Sequence, residues 1–287
     1  MENKVILVTG ATDGIGKETA KVLAQQGHTI IIHGRNETKL NAVADEIRAV
    51  TGNKNTGTIK ADLLSLAETR KMASEFKSRY GKLDVLVNNA GAVMNRQRET
   101  TGEGLEKTMA LNLFVPFLLM QSFTEVLAKS PAARIVNVSS EAHRSGGKPD
   151  FNDFQLEKSY SQIRAYGLSK LYLIWITRQM ASRLKEKGIR NITANSLHPG
   201  VIASRFGLDA DKGFIIDFLF KLARPFLKNV EDGAKTSIYA AVSPEVENVT
   251  GEYFNKQKIA KADDRYYSPG NEKIVWDYCE KITAKYL

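Results

Sequence analysis

The chain has 287 residues, 43% of them hydrophobic, and one cysteine, Cys279, so it can bury a sizeable core but cannot form an internal disulfide. Its 41 Lys and Arg exceed its 32 Asp and Glu, giving a net charge of +9. The basic residues are scattered with no like-charge block or Arg-rich arm, which points to a solvated surface and away from a nucleic-acid partner. Met1 runs straight into the strand-like KVILVTG, and no stretch approaches ~20 uninterrupted apolar residues. The expectation is a soluble, cytoplasmic protein without membrane association.

In chain order, short β-branched runs at 4–9, 29–33, 56–60, 84–88, 134–139 and 192–197 are separated by stretches of helical periodicity, such as Leu40, Val43, Ala44 and Ile47. Continuous apolar strands alternating with helices predict an α/β fold: a Rossmann-type, doubly wound parallel sheet with helices on both faces. Nothing marks an internal linker or a repeat, so one domain over 1–287 is expected. Residues 1–140 would form mainly its dinucleotide-binding half. The catalytic helix, a substrate loop or lid over 198–230 and the C-terminal segment would lie in 141–287. Two irregular stretches, 143–159 and 198–230, fall where loops beyond strand ends line a ligand crevice.

After the first strand comes TGATDGIGKETA, with Gly10, Gly14 and Gly16 spaced G-x-x-x-G-x-G. Between a strand and a helix, such glycines allow a tight turn and close approach of a pyrophosphate to the helix N-terminus. Thr12, Asp13 and Ile15 belong to the same turn. The second strand ends in HGRN. Arg35, followed by Asn36, suits a ribose 2′-phosphate, whereas a carboxylate would suit a free 2′-hydroxyl, so NADP(H) is preferred with NAD(H) as the alternative cofactor. Glu37 is the competing carboxylate, but after a capping Asn36 it fits the first turn of the next helix; a plain surface role for Arg35 also stays open.

Farther along, AYGLSKLY sets Tyr166 and Lys170 four residues apart, one turn apart on one helix face. In isolation the pair could equally be a packed tyrosine and a solvated lysine. Four histidines without ligand spacing predict no metal site, and Cys279 reads as packed.

Taken in order, TGxxxGxG at 9–16, ADL at 61–63, NNAG at 88–91, Asn112, NVSS at 137–140, Y-x-x-x-K at 166–170 and HPG at 198–200 resemble the short-chain dehydrogenases/reductases. The resemblance implies Tyr166 as general acid/base, Lys170 holding the nicotinamide ribose and favouring the tyrosinate, Ser140 polarising the substrate oxygen, and Asn112 supporting a water link to Lys170. It also implies Asp62, with Leu63, at the adenine; Asn89, Ala90 and Gly91 along the cofactor; and Pro199, Gly200, Val201 and Ser204 past the nicotinamide. Ser139 and Ser140 alternate across a strand, so one alone faces the cleft; the resemblance selects Ser140.

The long segment between Ser140 and Tyr166 is similar to the retinol dehydrogenase and WW-domain oxidoreductase branch, although the apolar segment that precedes the glycine turn in anchored members is not seen ahead of it here. The expected activity is hydride transfer between NADP(H) and an apolar carbonyl or alcohol. A catalytically silent dinucleotide-binding sensor or scaffold is the alternative. The family pairs helices corresponding to 103–128 and 160–187 into homodimers and homotetramers, though monomers occur. The stripe Phe214, Ile215, Phe218, Leu219, Leu222 and Phe226, with Lys221, Arg224 and Lys228, reads as a substrate lid over 213–229 ahead of a membrane-surface helix.

Overall fold

The computed structural model describes residues 3–200 and 229–287. Val201, Ser204 and the proposed lid, apart from Asn229, lie outside the described residues. The strands are β1 (Val5–Val8), β2 (Thr29–Gly34), β3 (Thr56–Lys60), β4 (Val85–Asn88), β5 (Ala133–Val138), β6 (Ile192–His198), β7 (Tyr253–Asn255) and β8 (Lys258–Ile259). Among the described residues they form one sheet in the order β3-β2-β1-β4-β5-β6-β7-β8. Each pair is parallel except β7 with β8. The six strands expected from the sequence are all present; β7 and β8 were not anticipated.

Alternation along the strands sends side chains to two cores. Leu7, Ile31, Ile59, Leu86 and Ile135 pack against α3 (Leu66–Tyr80), α4 (Lys107–Leu127), α5 (Gln162–Glu186) and α7 (Pro269–Thr283). Ile6, Val8, Ile30, Ile32, Val85, Val87 and Val136 pack against α1 (Gly14–Gln25), α2 (Glu37–Thr51) and α6 (Val230–Val242). The helix 107–127 is long and apolar enough to cross a membrane, but most of it is buried in the first core. Cys279 is fully buried there too, in line with its expected packing role.

Strand order reverses between β1 and β4, so the chain leaves these neighbours in opposite directions and opens a crevice beyond their C-terminal ends. Buried His33 braces that edge. Its Nδ1 accepts from the Gly10 N–H at 3.1 Å, so Nε2 carries the proton and donates to the Ala61 carbonyl at 3.1 Å. One imidazole thereby ties the glycine turn to the end of β3.

Burial pushes the His33 pKa from 6.5 down to about 4, outweighing its bond to Ala61. Between those values the unfolded chain binds a proton that the folded chain does not, so stability falls as pH drops through this window. His33→Leu, which leaves the part-buried Gly10 N–H and the buried Ala61 carbonyl without this partner, should lower stability at pH 7 by roughly 1–3 kcal/mol. It should also flatten the pH dependence between 6.5 and 4.5, as chemical denaturation at several pH values would measure.

Candidate active site

At the mouth of the crevice the glycine turn is held open by its own close contacts. Gly10 has φ +62°, and a Cβ there would lie 2.9 Å from the Ala90 Cα; at Gly16 a Cβ would collide with the Asn89 amide and sit 2.5 Å from the Gly10 carbonyl. Asn89 donates to the carbonyls of Thr9 and Gly10 at 2.9 and 3.2 Å, and Thr9 Oγ1 accepts from the N–H groups of Asn89 and Ala90 at 3.0 Å. The ends of β1 and β4 therefore form one unit with a side-chain-free floor at the N-terminus of α1. That floor fits the pyrophosphate of a dinucleotide. Asp13 caps α1 by accepting from the Gly14 N–H at 2.8 Å.

Arg35 emerges exposed just after β2. Asn36 caps α2, accepting from the Lys39 N–H at 2.9 Å, and Glu37 lies in the first turn of that helix with its carboxylate on Lys60 at 3.0 Å. Lys39 meets Asp13 at 3.1 Å. Both carboxylates near the end of β2 are thus engaged by lysines. Asp62 is exposed, with Oδ1 accepting from the Leu64 N–H at 2.9 Å, while Leu63 is buried. Pro199 and Gly200 leave β6 beside the crevice, Gly200 at φ +97°.

Reciprocal hydrogen bonds join α5 to the end of β5. Lys170 Nζ donates to the Val138 carbonyl at 2.9 Å, and Ser139 Oγ donates to the Lys170 carbonyl at 2.9 Å. Ser139 therefore faces the helix backbone and Ser140 the crevice, on the side of Tyr166, whose phenol pKa the Ser140 hydroxyl lowers. Lys170 Nζ lies 5.7 Å from the centre of the Tyr166 ring. A Cβ on Gly91 would sit 3.0 Å from both Lys170 Nζ and Asn112 Oδ1, so both groups border the same open point.

Asn112 occupies a π-helical stretch, Ala110–Phe114, at the start of α4; such local widening is frequent at functional sites. Fully buried, it accepts from the Ala92 N–H at 3.0 Å and donates to the Ala92 carbonyl and Ser169 Oγ at 3.0 and 3.1 Å.

The long segment between Ser140 and Tyr166 is a packed wall. Gly146 approaches α5 so closely that a Cβ would come within 2.5 Å of the Leu168 nitrogen, and a Cβ on Gly167 would lie 2.7 Å from the Gly146 Cα. Glycines at both positions let the two backbones meet right beside Tyr166. Farther out, Phe154 stacks on Tyr278 with ring centres 4.0 Å apart, anchoring the segment to α7.

Burial pushes the Tyr166 pKa up to about 12, only partly offset by the bond from Ser140, and burial pushes Lys170 down to about 7. Sequence inspection missed three histidines that brace the site: His33, His143 and His198. Their bonds go to backbone groups, which no residue pattern displays.

The fold and site define a dinucleotide-dependent oxidoreductase class. The model of the short chain dehydrogenase family matches residues 4–212, and the chain belongs to that family. It is similar to mouse retinol dehydrogenase 12 (37% identity, covering 97% of this chain and 86% of that one). Human polyprenol dehydrogenase is 35% identical, with 98% and 86% covered. Zebrafish WW domain-containing oxidoreductase is 34% identical, with 99% and 69% covered. Among solved structures, a short chain dehydrogenase from Shigella flexneri complexed with NADP matches with a TM-score of 0.70 at 25% identity, covering 90% of this chain and 98% of that one.

Without dinucleotide, Lys170 loses its proton near pH 7 in the folded chain and near 10.5 in the unfolded one. The unfolded state holds more protons between these values, so stability rises with pH across them, by roughly 2 kcal/mol from pH 7 to 9. Lys170→Met should remove this rise; an unchanged slope in urea denaturation at pH 7, 8 and 9 would contradict the assignment.

Proposed function

We propose that this enzyme is an NADP(H)-dependent carbonyl reductase, or alcohol dehydrogenase in reverse, acting on a fairly apolar aldehyde, ketone or alcohol. The observation that carries the reading is the Ser140–Tyr166 hydroxyl pair set beside Lys170, Asn112 and Gly91. The retinol and polyprenol dehydrogenase relatives support an apolar substrate. The NADP-complexed structural relative supports the cofactor, as does the local charge: Arg35 is exposed at the end of β2, and Glu37 and Asp13 are taken up by Lys60 and Lys39.

The glycine turn and Asn89 to Gly91 would hold the dinucleotide, and Arg35 its 2′-phosphate. When bound, the dinucleotide supplies the hydride that reaches the carbonyl carbon. Ser140 Oγ donates a hydrogen bond where alkoxide charge grows, and Tyr166 Oη gives its proton to that oxygen. With its pKa near 12, Tyr166 is fully protonated at neutral pH, which suits the reductive direction. Lys170, fixed by the Val138 carbonyl, would hold the nicotinamide ribose. Asn112 holds Ala92 and so fixes the wall beside it. No observation favours the silent sensor, which has no use for the gathered hydroxyls.

Purified protein should oxidise NADPH in the presence of apolar aldehydes or ketones. Tyr166→Phe should lower kcat by at least about 10²-fold, the lower range for a lost general acid, and leave NADPH affinity within about twofold; retained turnover would refute the assigned acid. Arg35→Glu should raise KM for NADPH at least about tenfold more than KM for NADH, the loss of one charge-assisted phosphate contact. Equal effects in steady-state kinetics would overturn the 2′-phosphate reading.

A further inference from the structure

Two of the three bracing histidines converge on one peptide group. His143 Nδ1 lies 2.6 Å from the Ser140 carbonyl oxygen, and its Nε2 accepts from the Asp263 N–H at 3.0 Å. Because a backbone N–H can only donate, the His143 proton must sit on Nδ1, which donates to Ser140. On the other side, His198 Nδ1 accepts from the Glu141 N–H at 3.2 Å and from the Gly200 N–H at 3.4 Å, so its proton sits on Nε2. The Ser140 carbonyl and the Glu141 N–H are the two ends of a single peptide unit. We propose that His143 and His198 are positioning residues that grip the 140–141 peptide from both ends and thereby aim the Ser140 hydroxyl at the Tyr166 hydroxyl.

This rests on the oxidoreductase reading above, and it follows from where freedom remains at the site. Ser140, two residues beyond the end of β5, is extended, with φ −157° and ψ 154°, and caps the 3₁₀ turn Glu141–Arg144. Rotation of the 140–141 peptide would alter ψ of Ser140 and swing its side chain relative to α5. Reaction geometry tolerates little such drift, since a misplacement of about 1 Å can cost about 10²-fold in rate. The turn's intrinsic contacts are weak restraints: Ser140 Oγ accepts from the Ala142 N–H at 3.2 Å and the Ser140 carbonyl from the His143 N–H at 3.1 Å. The imidazoles add rigid partners, 1% and 7% exposed, from outside the turn's own backbone.

The clamp connects distant parts of the chain. The His143 ring packs edge-on against Tyr253 of β7, with centres 5.2 Å apart. Asp263, whose N–H the ring accepts, has its carboxylate forked by Arg265 at 2.6–3.1 Å, and Arg265 also donates to the Arg144 carbonyl at 2.5 Å. Glu141 pairs with Arg144 at 2.5 Å and faces the Tyr253 hydroxyl at 3.4 Å. His198 ends β6 and ties the Glu141 N–H to that of Gly200, just after the strand. Thus Ser140 is set by β6 and by the segment after β8 as well as by its own strand.

The tautomers can be read directly. In 15N-histidine-labelled protein at pH 7, with only four histidines to assign, His143 should be the Nδ1–H form and His198 the Nε2–H form. In carbonyl reduction, His143→Phe and His198→Phe should each lower kcat at least tenfold while KM and the NADPH dissociation constant stay within threefold. His143→Asn, whose amide can donate to the Ser140 carbonyl from the Nδ1 position, should recover kcat to within about threefold of wild type. A kcat for His143→Phe within twofold of wild type would overturn the proposal. So would a loss of kcat matched by an equal loss of NADPH affinity that His143→Asn does not rescue, or an Nε2–H form at His143. If the wild type reduces no carbonyl, the oxidoreductase reading falls, and the clamp stands or falls on the two tautomers.

Discussion

The site depends on a pair of crossed hydrogen bonds between the end of β5 and the middle of α5: Lys170 Nζ to the Val138 carbonyl, and Ser139 Oγ to the Lys170 carbonyl. Each bond is ordinary in strength. Together they fix both the height and the rotation of the helix on the strand. Ser140 follows Ser139 just past β5, and Tyr166 is one helical turn before Lys170, so fixing this crossing sets the two side chains on the same side of the crevice. The glycine pair Gly146 and Gly167 serves the same placement from the other side, letting the long connecting segment pass without pushing the helix away.

Burial then sets the chemistry. Burial raises the phenol of Tyr166 and lowers the ammonium of Lys170, so the chain by itself favours a neutral, protonated tyrosine and a lysine balanced near neutrality. A proton donor is therefore ready for reduction.

Much of this architecture was legible in the sequence because it follows from repeating physical patterns. Strands such as 29–34 are apolar on both faces, and helices such as 37–51 repeat their buried residues at three and four. The glycine turn and the Tyr166–Lys170 spacing were readable for the same reason, whereas Asn89 and the choice of Ser140 over Ser139 came from the family resemblance, strand alternation saying only that one of the two serines faces the cleft. The hairpin of β7 and β8 was not: it is three plus two residues, and its turn places Lys256 and Gln257 at φ +50° and +62°, where glycine or asparagine would normally signal it. The π-helical stretch around Asn112 has no marker in composition. The roles of His33, His143 and His198 were also hidden, since an imidazole that serves a backbone carbonyl or N–H depends on three-dimensional placement alone.

The most direct measurement is a crystal structure with NADPH and an unreactive carbonyl analogue. The analogue's oxygen should lie within about 2.6–3.2 Å of both Ser140 Oγ and Tyr166 Oη, with its carbonyl carbon about 3–3.5 Å from the nicotinamide C4. A nicotinamide bound away from Gly91, or an oxygen that meets neither hydroxyl, would contradict the assigned site.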